Sequence, residues 1–480
     1  MLLPCQGGVR FERVESLVSG GFGQTAFDRA YAGLATATRD GPPERELAPR
    51  AAPAEPFALH GVVLTPDRAL DDGYVIVGDG DSISAVAETR PADVPTLDTN
   101  GVILPGLLDL HNHPDFNVFS AWEPPTRFAN RYEWRRSDVY QRLIRTPENT
   151  LLDALPAQTQ LRYAEIRALV GGVTAMQGAG GPAAALQEES LVRNLDKWIF
   201  GEQIGRSMID LPLTANDKQL QDVLAGIGNG KVRGFYIHLA EGQSADPTSQ
   251  QEFTRLCDLS ALTSSTLIIH GTALTRQQFG AMKDAGAKLV WSPQSNLRLY
   301  GETTKIADAL DVGVPVALGA DWLPSGSTSL LAEMKVARRV LAGTGRPAEP
   351  STLVAMATSG AAAIAGLDGK LGLLAPGTPA DVLVLDRRHD DPWENVLLAD
   401  PSWVELVVIG GDLAYGRSDW MTTHVDADHV TRLEPLLAWG KQMLLDTSYA
   451  ARPGQDPPPT LVQLRQSLIE NYPQTGPIFA

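Results

Sequence analysis

The middle of the chain alternates between short apolar runs and longer segments in which apolar residues recur every three or four positions. Short apolar runs predict buried strands, and the longer period predicts helices packed against them. In the segment LLAEMKVARRVLAG, for example, Leu330, Met334, Ala337 and Leu341 form one apolar stripe. Strands are predicted in ILPGLLDLHNH, GVTAMQG, WIFGEQIG, GFYIHLAE, TLIIHGTA, KLVWSP and VPVALGAD, with RSMIDLPL as a short candidate for an eighth. This alternation indicates parallel βα units.

Shorter β segments lie on both sides of this central region. LHGVVLTP and DGYVIVGDGDSISAVAE precede it, and KLGLLAPGTPADVLVLD and WVELVVIGGDLAYG follow it. Asp-Gly and Gly-Asp pairs within the first flank predict hairpins. We therefore expect the flanks, residues 56–104 and 366–416, to form one small sheet beside a central domain of residues 105–365.

The two ends of the chain differ from the rest. Residues 1–55 combine a predicted amphipathic helix in AFDRAYAGLATA with a linker rich in Pro, Ala and charge. Residues 417–480 predict a helical extension, in which helices in LEPLLAWGKQMLL and LVQLRQSLIENY are separated by RPGQDPPP. We expect this extension to pack on the surface or on a neighbouring subunit, and we expect a homo-oligomer, a dimer or larger.

Charge and cysteine content narrow the class of protein. The 480 residues include 57 Asp and Glu but 40 Lys and Arg, a formal net charge of −17 that disfavours binding to nucleic-acid phosphates. Cys5 and Cys257 are too few for a disulfide framework or a Cys-based zinc site. The sequence contains neither a signal-like start nor a run of about 18–20 apolar residues. We expect a cytoplasmic protein with no nucleic-acid and no membrane partner.

Potential metal ligands follow four of the predicted strands. They come directly after the apolar runs LLDL, GFYI, TLII and VALGA, and are His111 with His113, His238, His270 and Asp321. Residues i and i+2 of an extended chain project from one face, so His111 and His113 can reach the same ion. Strand ends converge at one rim of an α/β barrel. Three imidazoles and a carboxylate there predict a Zn²⁺, Fe²⁺ or Mn²⁺ site with a position left for water.

The residues between Phe57 and Gly416 resemble the amidohydrolase superfamily, in the branch of cytosine deaminase, adenosine-type deaminases and triazine chlorohydrolases. The matching motifs are GVILPGLLDLHNH, GGVTAMQ, HLAEG, IIHGTAL, VWSPQSNLRL, VPVALGADWLPSG and GKLGLLAPGTPADVLVLD. The resemblance implies an α/β fold, a (β/α)8 TIM-like barrel with a small β-sandwich domain formed by both flanks. That fold agrees with the alternation of strands and helices described above.

The resemblance also implies the cofactor and the catalytic residues. It predicts one divalent metal ion per chain, with Zn²⁺ favoured and Fe²⁺ or Mn²⁺ as alternatives. By the resemblance, the metal ligands are His111, His113, His238 and Asp321. Glu241 matches the family's proton shuttle, His270 matches the residue that hydrogen-bonds the water or the substrate, and Asp321 has a catalytic role as well.

The lysines of the chain favour one ion over two. Binuclear members of the family bridge their ions with a carboxylated lysine at a strand end. Here Lys197 and Lys231 both precede their predicted strands, so neither is well placed for that role. A mononuclear site is therefore expected.

Loops after the strands supply the predicted contacts with a small-molecule substrate. The long loop after His113 carries Phe116, Trp122, Arg127, Tyr132, Trp134 and Arg135. From the loops together, the predicted substrate-binding residues are Trp122, Ser292, Asn296, Arg298 and Trp322. Aromatic residues close to a metal rim favour a planar or apolar substrate.

Three functions remain open from the sequence. The first is metal-dependent hydrolysis of a C–N bond in a small cyclic or heteroaromatic substrate, with deamination favoured. The second is hydrolysis of an amide, lactam or carbon–halogen bond by the same site. The third is a binding protein without catalytic activity, on a barrel whose site has decayed.

Overall fold

A computed structural model describes residues 56–78, 80–178, 190–196, 198–200, 202–204, 211, 217–425, 427–448, 459–476 and 478. The predicted N-terminal helix and linker, residues 1–55, lie outside the described residues, as does most of the candidate strand RSMIDLPL. Within the described ranges, no helix is long and apolar enough to cross a membrane.

The strands of the described ranges are numbered here in the order in which they occur along the chain. They are β1 (Phe57–Leu64), β2 (Ala69–Val77), β3 (Ile83–Ala87), β4 (Thr96–Pro105), β5 (Leu107–Asp109), β6 (Val173–Met176), β7 (Arg193–Asn194), β8 (Trp198–Ile199), β9 (Glu202–Gln203), β10 (Phe235–Leu239), β11 (Thr266–His270), β12 (Lys288–Trp291), β13 (Val316–Leu318), β14 (Val382–Leu385), β15 (Val404–Ile409), β16 (Asp412–Arg417), β17 (Glu434–Ala438) and β18 (Lys441–Leu445).

The helices that accompany them are mostly amphipathic and connect consecutive parallel strands. They are α1 (Arg131–Arg135), α2 (Asp138–Tyr140), α3 (Thr146–Ala154), α4 (Ala157–Val170), α5 (Lys218–Gly228), α6 (Pro247–Asp258), α7 (Arg276–Ala285), α8 (Pro293–Tyr300), α9 (Ile306–Val312), α10 (Leu330–Gly343), α11 (Pro350–Ala355), α12 (Ser359–Ile364), α13 (Pro392–Leu398), α14 (Ser418–His424), α15 (Ala427–Val430) and α16 (Leu461–Asn471), with a π-helical turn at Gln141–Arg145.

Strands from both flanks pair in one nine-stranded sheet, in the order β17-β18-β16-β15-β14-β4-β1-β2-β3. The junction between the flanks is the antiparallel pair β4 and β14, in which Leu104 lies opposite Leu383. Both faces of β14 are buried, because the four residues Val382–Leu385 are all inaccessible to solvent. The distant flanks are therefore held together by main-chain hydrogen bonds and by a shared apolar core.

The central region contains two parallel sheets, β5-β6-β7 and β10-β11-β12-β13. Their outer strands β5 and β13 meet at the carboxyl ends, where the Asp321 N–H donates to the His111 carbonyl at 2.8 Å and the His113 N–H donates to the Asp321 carbonyl at 2.9 Å. The fold is thus a mixed α/β fold with parallel strands, and the described strands do not form a closed eight-stranded barrel.

The segment WIFGEQIG differs from its predicted single strand. It forms the short antiparallel pair β8 and β9, in which Trp198 lies opposite Gln203. Phe200, between them, adopts a φ of 50°, a left-handed conformation that reverses the chain direction. The parallel sheet is instead continued by Arg193 and Asn194 in β7, which pair with β6.

The segment LEPLLAWGKQMLL is also not the predicted helix. It forms the hairpin of β17 and β18, because Trp439 and Gly440 both adopt positive φ, 48° and 80°, as a tight two-residue hairpin turn requires. β18 then pairs with β16 and extends the large sheet, which buries Met443. The other predicted helix of the C-terminal extension is present as α16, with a capping box at Thr460.

Candidate metal centre and active site

The potential ligands lie where buried parallel strands end. His238 is in β10, His270 ends β11, and His111 and Asp321 follow β5 and β13. His270 and Asp321 adopt positive φ values of 67° and 63°, and Ala240, between His238 and Glu241, has a φ of 51°. Non-glycine residues rarely adopt this conformation, and such strain concentrates at functional sites. This backbone conformation turns the side chains of His270 and Asp321 toward the rim where the strand ends meet.

The donor atoms form two overlapping groups that share His111, namely His111 with His113 and Asp321, and His111 with His238 and His270, and within each group the ligand atoms lie within 4.8 Å of one another. His111 Nε2 lies 3.1 Å from Asp321 Oδ1, and His113 Nε2 lies 3.4 Å from the same oxygen. The Nε2 atoms of His113 and His238 are 3.3 Å apart. Ligand atoms about 2.0–2.1 Å from a tetrahedral ion lie about 3.4 Å from one another. The separations of His113 and His111 from Asp321 and of His113 from His238 suit ligands of a divalent cation, while a common ion held by all four residues stays a prediction.

The protonation states of these residues also suit metal binding. Burial, followed by the neighbouring His111, lowers the pKa of His113 to about 3 and lowers that of His238 well below its ordinary range. Burial by itself raises the pKa of Asp321, but His111 and the other imidazoles outweigh it and lower this pKa below its usual value. His113 and His238 are thus neutral imidazoles and Asp321 is a carboxylate at neutral pH, the forms that bind a metal.

Glu241 and His270 lie side by side at the edge of this cluster. Glu241 Oε2 is 3.8 Å from His270 Nε2, and both side chains are almost fully buried. His270 Nδ1 donates to Asn296 Oδ1 at 2.9 Å, since the amide nitrogen of Asn296 faces the Thr303 hydroxyl. His270 Nε2 therefore carries the lone pair and accepts hydrogen bonds from the cavity.

A cavity opens above the cluster. Aromatic rings form much of its wall: the Trp134 and Trp322 ring centroids are 5.5 Å apart, and those of Phe116 and Trp322 are 5.4 Å apart. Its lining residues are His113, Phe116, Arg131, Trp134, Arg135, Tyr140, His238, Glu241, His270, Asp321 and Trp322. A flat ring of limited size matches this shape and chemistry.

The residues predicted to bind substrate have different positions. Trp322 lines the cavity, whereas Asn296 is fully buried behind His270. Ser292 is the N-cap residue of α8, and Arg298 on the same helix donates to the Pro324 carbonyl at 3.3 Å. Trp122 is buried, and its ring contacts Tyr140 rather than the ligand cluster. A substrate contact by any of these residues stays a prediction.

Three residues of the site were not predicted from the sequence: Arg131, Tyr140 and Tyr300. Arg131 and Tyr140 line the cavity, and Tyr300 donates a hydrogen bond to Glu241. The signal for the first two was the density of aromatic and arginine residues in the long loop after His113. No local pattern marks Tyr300, because its partner lies on a different strand end.

The two lysines considered for a bridging role do not add a ligand to the described site. Lys231 is exposed, before β10, and Lys197 lies outside the described residues. Among the described residues that line the cavity there is no lysine.

Comparisons with known proteins identify similar sequences. Residues 207–414 match the model of the amidohydrolase family. A 5-methylthioadenosine/S-adenosylhomocysteine deaminase of Nitratidesulfovibrio vulgaris is 31% identical over 406 residues, which cover 75% of this chain and 89% of that protein.

Two solved structures are similar in fold. An adenosine deaminase from Xanthomonas campestris with bound zinc has a TM-score of 0.61 at 18% identity, covering 76% of this chain and 93% of the other. A triazine hydrolase from Arthrobacter aurescens has a TM-score of 0.57 at 19% identity, covering 75% and 94%. The sequence matches and the architecture together show that the chain belongs to the amidohydrolase family and is a metal-dependent hydrolase of C–N bonds.

Proposed function

We propose that this protein deaminates a small heteroaromatic amine of the adenine class, with one divalent ion per chain and Zn²⁺ as the favoured metal. The proposal rests on one observation: Glu241 and His270 lie beside the ligand cluster and line the same aromatic cavity. The name of the Nitratidesulfovibrio relative supports an adenine-type ring as the substrate.

We also propose that the two parallel sheets belong to one (β/α)8 barrel. The hydrogen bonds between Asp321 and His111 support closure on one side. On the other side, the Gly234 N–H donates to the Ile204 carbonyl at 2.7 Å, just before β10. A barrel places all the strand ends at one rim, where its active sites lie.

The metal is assigned to His111, His113, His238 and Asp321. When bound, a divalent ion of this kind lowers the pKa of a coordinated water and makes water a nucleophile near neutral pH. The four residues would hold the ion through imidazole nitrogens and the Asp321 carboxylate, and an ion that accepts a fifth ligand would leave one position for water.

Glu241 moves the protons of the reaction. The new bond joins the water oxygen to the ring carbon that carries the amino group, and the bond that breaks joins this carbon to the amino nitrogen. Glu241 Oε2 takes a proton from the attacking water and delivers it to the ring nitrogen, and the proton that remains on the oxygen leaves with ammonia. His270 Nε2 accepts a hydrogen bond from the attacking water and orients it.

The aromatic wall holds the ring. Trp134 and Trp322 offer faces for stacking, and offset or edge-on arrangements with a planar heterocycle are favourable. The wall also excludes bulk water from Glu241 and His270, which strengthens hydrogen bonds at the reacting atoms.

The test is an assay that measures ammonia released against substrate consumed. The Zn²⁺-loaded protein is incubated with adenine nucleosides, other amino-heterocycles, lactams and chlorotriazines in parallel. One ammonia per adenine-type ring consumed supports the proposal. Ring opening or loss of chloride without ammonia overturns it in favour of the second function considered from the sequence.

Variant Glu241→Gln tests the role of the carboxylate. Because a proton shuttle does not hold the metal, we expect turnover to fall by about 10²–10⁴-fold with full metal content. Near wild-type turnover in this variant contradicts the assignment of proton transfer to Glu241.

A further inference from the structure

Helix α8 carries two residues that each hydrogen-bond one member of the candidate catalytic pair. Asn296 and Tyr300 are four positions apart, so they lie on one face of the helix. Asn296 Oδ1 accepts from His270 Nδ1 at 2.9 Å, and Tyr300 Oη donates to Glu241 Oε1 at 2.5 Å. One helix face therefore reaches both side chains.

The direction of the Tyr300 hydrogen bond is fixed by its second partner. Trp134 Nε1, a donor only, donates to Tyr300 Oη at 2.8 Å. The hydroxyl accepts this bond, and its proton points to Glu241. Tyr300 is 1% exposed, and burial together with the charge of Glu241 raises its pKa well above the ordinary value. The Tyr300 hydroxyl therefore stays protonated and donates its hydrogen bond to Glu241.

This bond makes the two oxygens of Glu241 different. Oε1 accepts from Tyr300, whereas Oε2 lies 3.8 Å from His270 Nε2, and both Glu241 and His270 line the cavity. The backbone of Glu241 is fixed as well, because its carbonyl accepts from the Arg131 N–H at 3.2 Å. The carboxylate thus has few orientations available, and Oε2 is the oxygen placed beside His270.

We propose that Tyr300 is a positioning residue for Glu241, which holds Oε1 so that Oε2 exchanges protons with water and substrate. The inference rests on the proposed function, because it takes Glu241 as the proton shuttle. Trp134 belongs to the same chain of hydrogen bonds and also lines the cavity, so it links the substrate wall to the shuttle.

The central experiment compares Tyr300→Phe with Tyr415→Phe. Tyr415 is buried in the large sheet, and among the described residues its hydroxyl has no hydrogen-bond partner. We expect Tyr300→Phe to lower kcat by about 10- to 100-fold, because a small displacement of a catalytic group is costly, with KM and metal content nearly unchanged. Tyr415→Phe keeps the wild-type kcat, KM and Tm, whereas the Tm of Tyr300→Phe falls because the hydroxyl makes two buried hydrogen bonds.

A double variant separates positioning from general packing. In single-turnover assays with enzyme in excess, Tyr300→Phe has no further effect in the Glu241→Gln background if it acts through the carboxylate. If Tyr300→Phe lowers the single-turnover rate by the same factor in the wild-type and Glu241→Gln backgrounds, the proposal is overturned, because Tyr300 then has a structural role.

The outcomes separate this inference from the function on which it rests. If Glu241→Gln is inactive while Tyr300→Phe keeps the wild-type kcat, the positioning role is overturned and the proposed function stands. If Glu241→Gln is active, the shuttle assignment and the positioning role both fail. Should Tyr300→Phe not fold, Trp134→Phe removes the other bond to the hydroxyl; a wild-type kcat in that variant overturns the hydrogen-bonded chain.

Discussion

His111 and Asp321 are joined through both their main chains and their side chains. The Asp321 N–H donates to the His111 carbonyl at 2.8 Å, and Asp321 Oδ1 lies 3.1 Å from His111 Nε2. The contact that brings β5 and β13 together therefore also sets the spacing of two potential ligands. The two potential ligands therefore come together only when the ends of β5 and β13 pair.

Loss of His111 removes the central member of the cluster. We expect His111→Ala to purify with much less than one divalent ion per chain, measured by elemental analysis, and to be inactive. His389→Ala is the matched control, because His389 is exposed and lies in the loop before α13. One ion per chain in His111→Ala would contradict the ligand assignment.

Trp322→Ala tests the aromatic wall. Loss of one stacking face costs about 1–3 kcal/mol, so we expect KM for the heteroaromatic substrate to rise by about 5- to 150-fold. Metal content should stay at the wild-type value. Trp403→Ala is the control, since Trp403 stacks on Arg388 outside the cavity. Equal KM values in wild type and Trp322→Ala would exclude stacking on this ring.

Glu333 gives the protein a pH-dependent stability. Its carboxyl is fully buried at the start of α10, where Oε1 accepts from the Gln294 N–H at 3.0 Å and Oε2 contacts the Ser327 hydroxyl. Burial raises its pKa from 4.5 to about 8. Between these values the folded protein keeps a proton that the unfolded chain has released, so the free energy of unfolding falls as pH rises.

Glu333→Gln removes this dependence, because an amide keeps both contacts and does not titrate. We expect the Tm of the variant relative to wild type to be higher at pH 8 than at pH 5, measured by calorimetry. Glu470 is exposed at the end of α16, so the difference in Tm between Glu470→Gln and wild type should be the same at pH 5 and pH 8. Parallel Tm curves for Glu333→Gln and wild type would show that Glu333 is ionised when folded.

Arg193 and Asp381 connect β7 to the start of β14. Arg193 Nε donates to Asp381 Oδ2 at 2.7 Å and Nη2 donates to Oδ1 at 2.9 Å, and both side chains are buried. Removing one partner leaves a buried charge, so Asp381→Ala should lower the free energy of unfolding by about 3–5 kcal/mol.

The surface pair of Arg68 and Glu88 is the control for this change. Glu88→Ala should change the free energy of unfolding by less than about 1 kcal/mol, because both partners are exposed. Denaturant unfolding measures both values. Equal effects of the two substitutions would mean that the buried pair contributes no more than an exposed one.

The sequence by itself determined the elements whose pattern is local. Apolar runs located β10, β11 and β12, and the i, i+2 spacing placed His111 and His113 on one side of the chain, where their ring centroids are 4.7 Å apart. These features depend on backbone periodicity and on the burial of apolar side chains, which act over a few residues. The motifs also carried the resemblance to the family.

The prediction from local pattern was wrong where a helix and a hairpin have similar spacing of apolar residues. The segment of β17 and β18 has a helical period, but the positive φ values at Trp439 and Gly440 and the free edge of β16 favour a hairpin. Only pairing with a distant strand decides between the two, because it satisfies main-chain donors and buries Met443.

Tertiary structure alone decided the contacts within the site. The bond from Tyr300 to Glu241, the placement of Asn296 behind His270 and the spacing of Asp321 from His111 all join residues of different secondary-structure elements. Sequence can identify a carboxylate or an imidazole at a strand end, but the distance between two such groups depends on how the sheets pair and curve. Those distances arise from packing across the whole domain, so they became visible only in the folded chain.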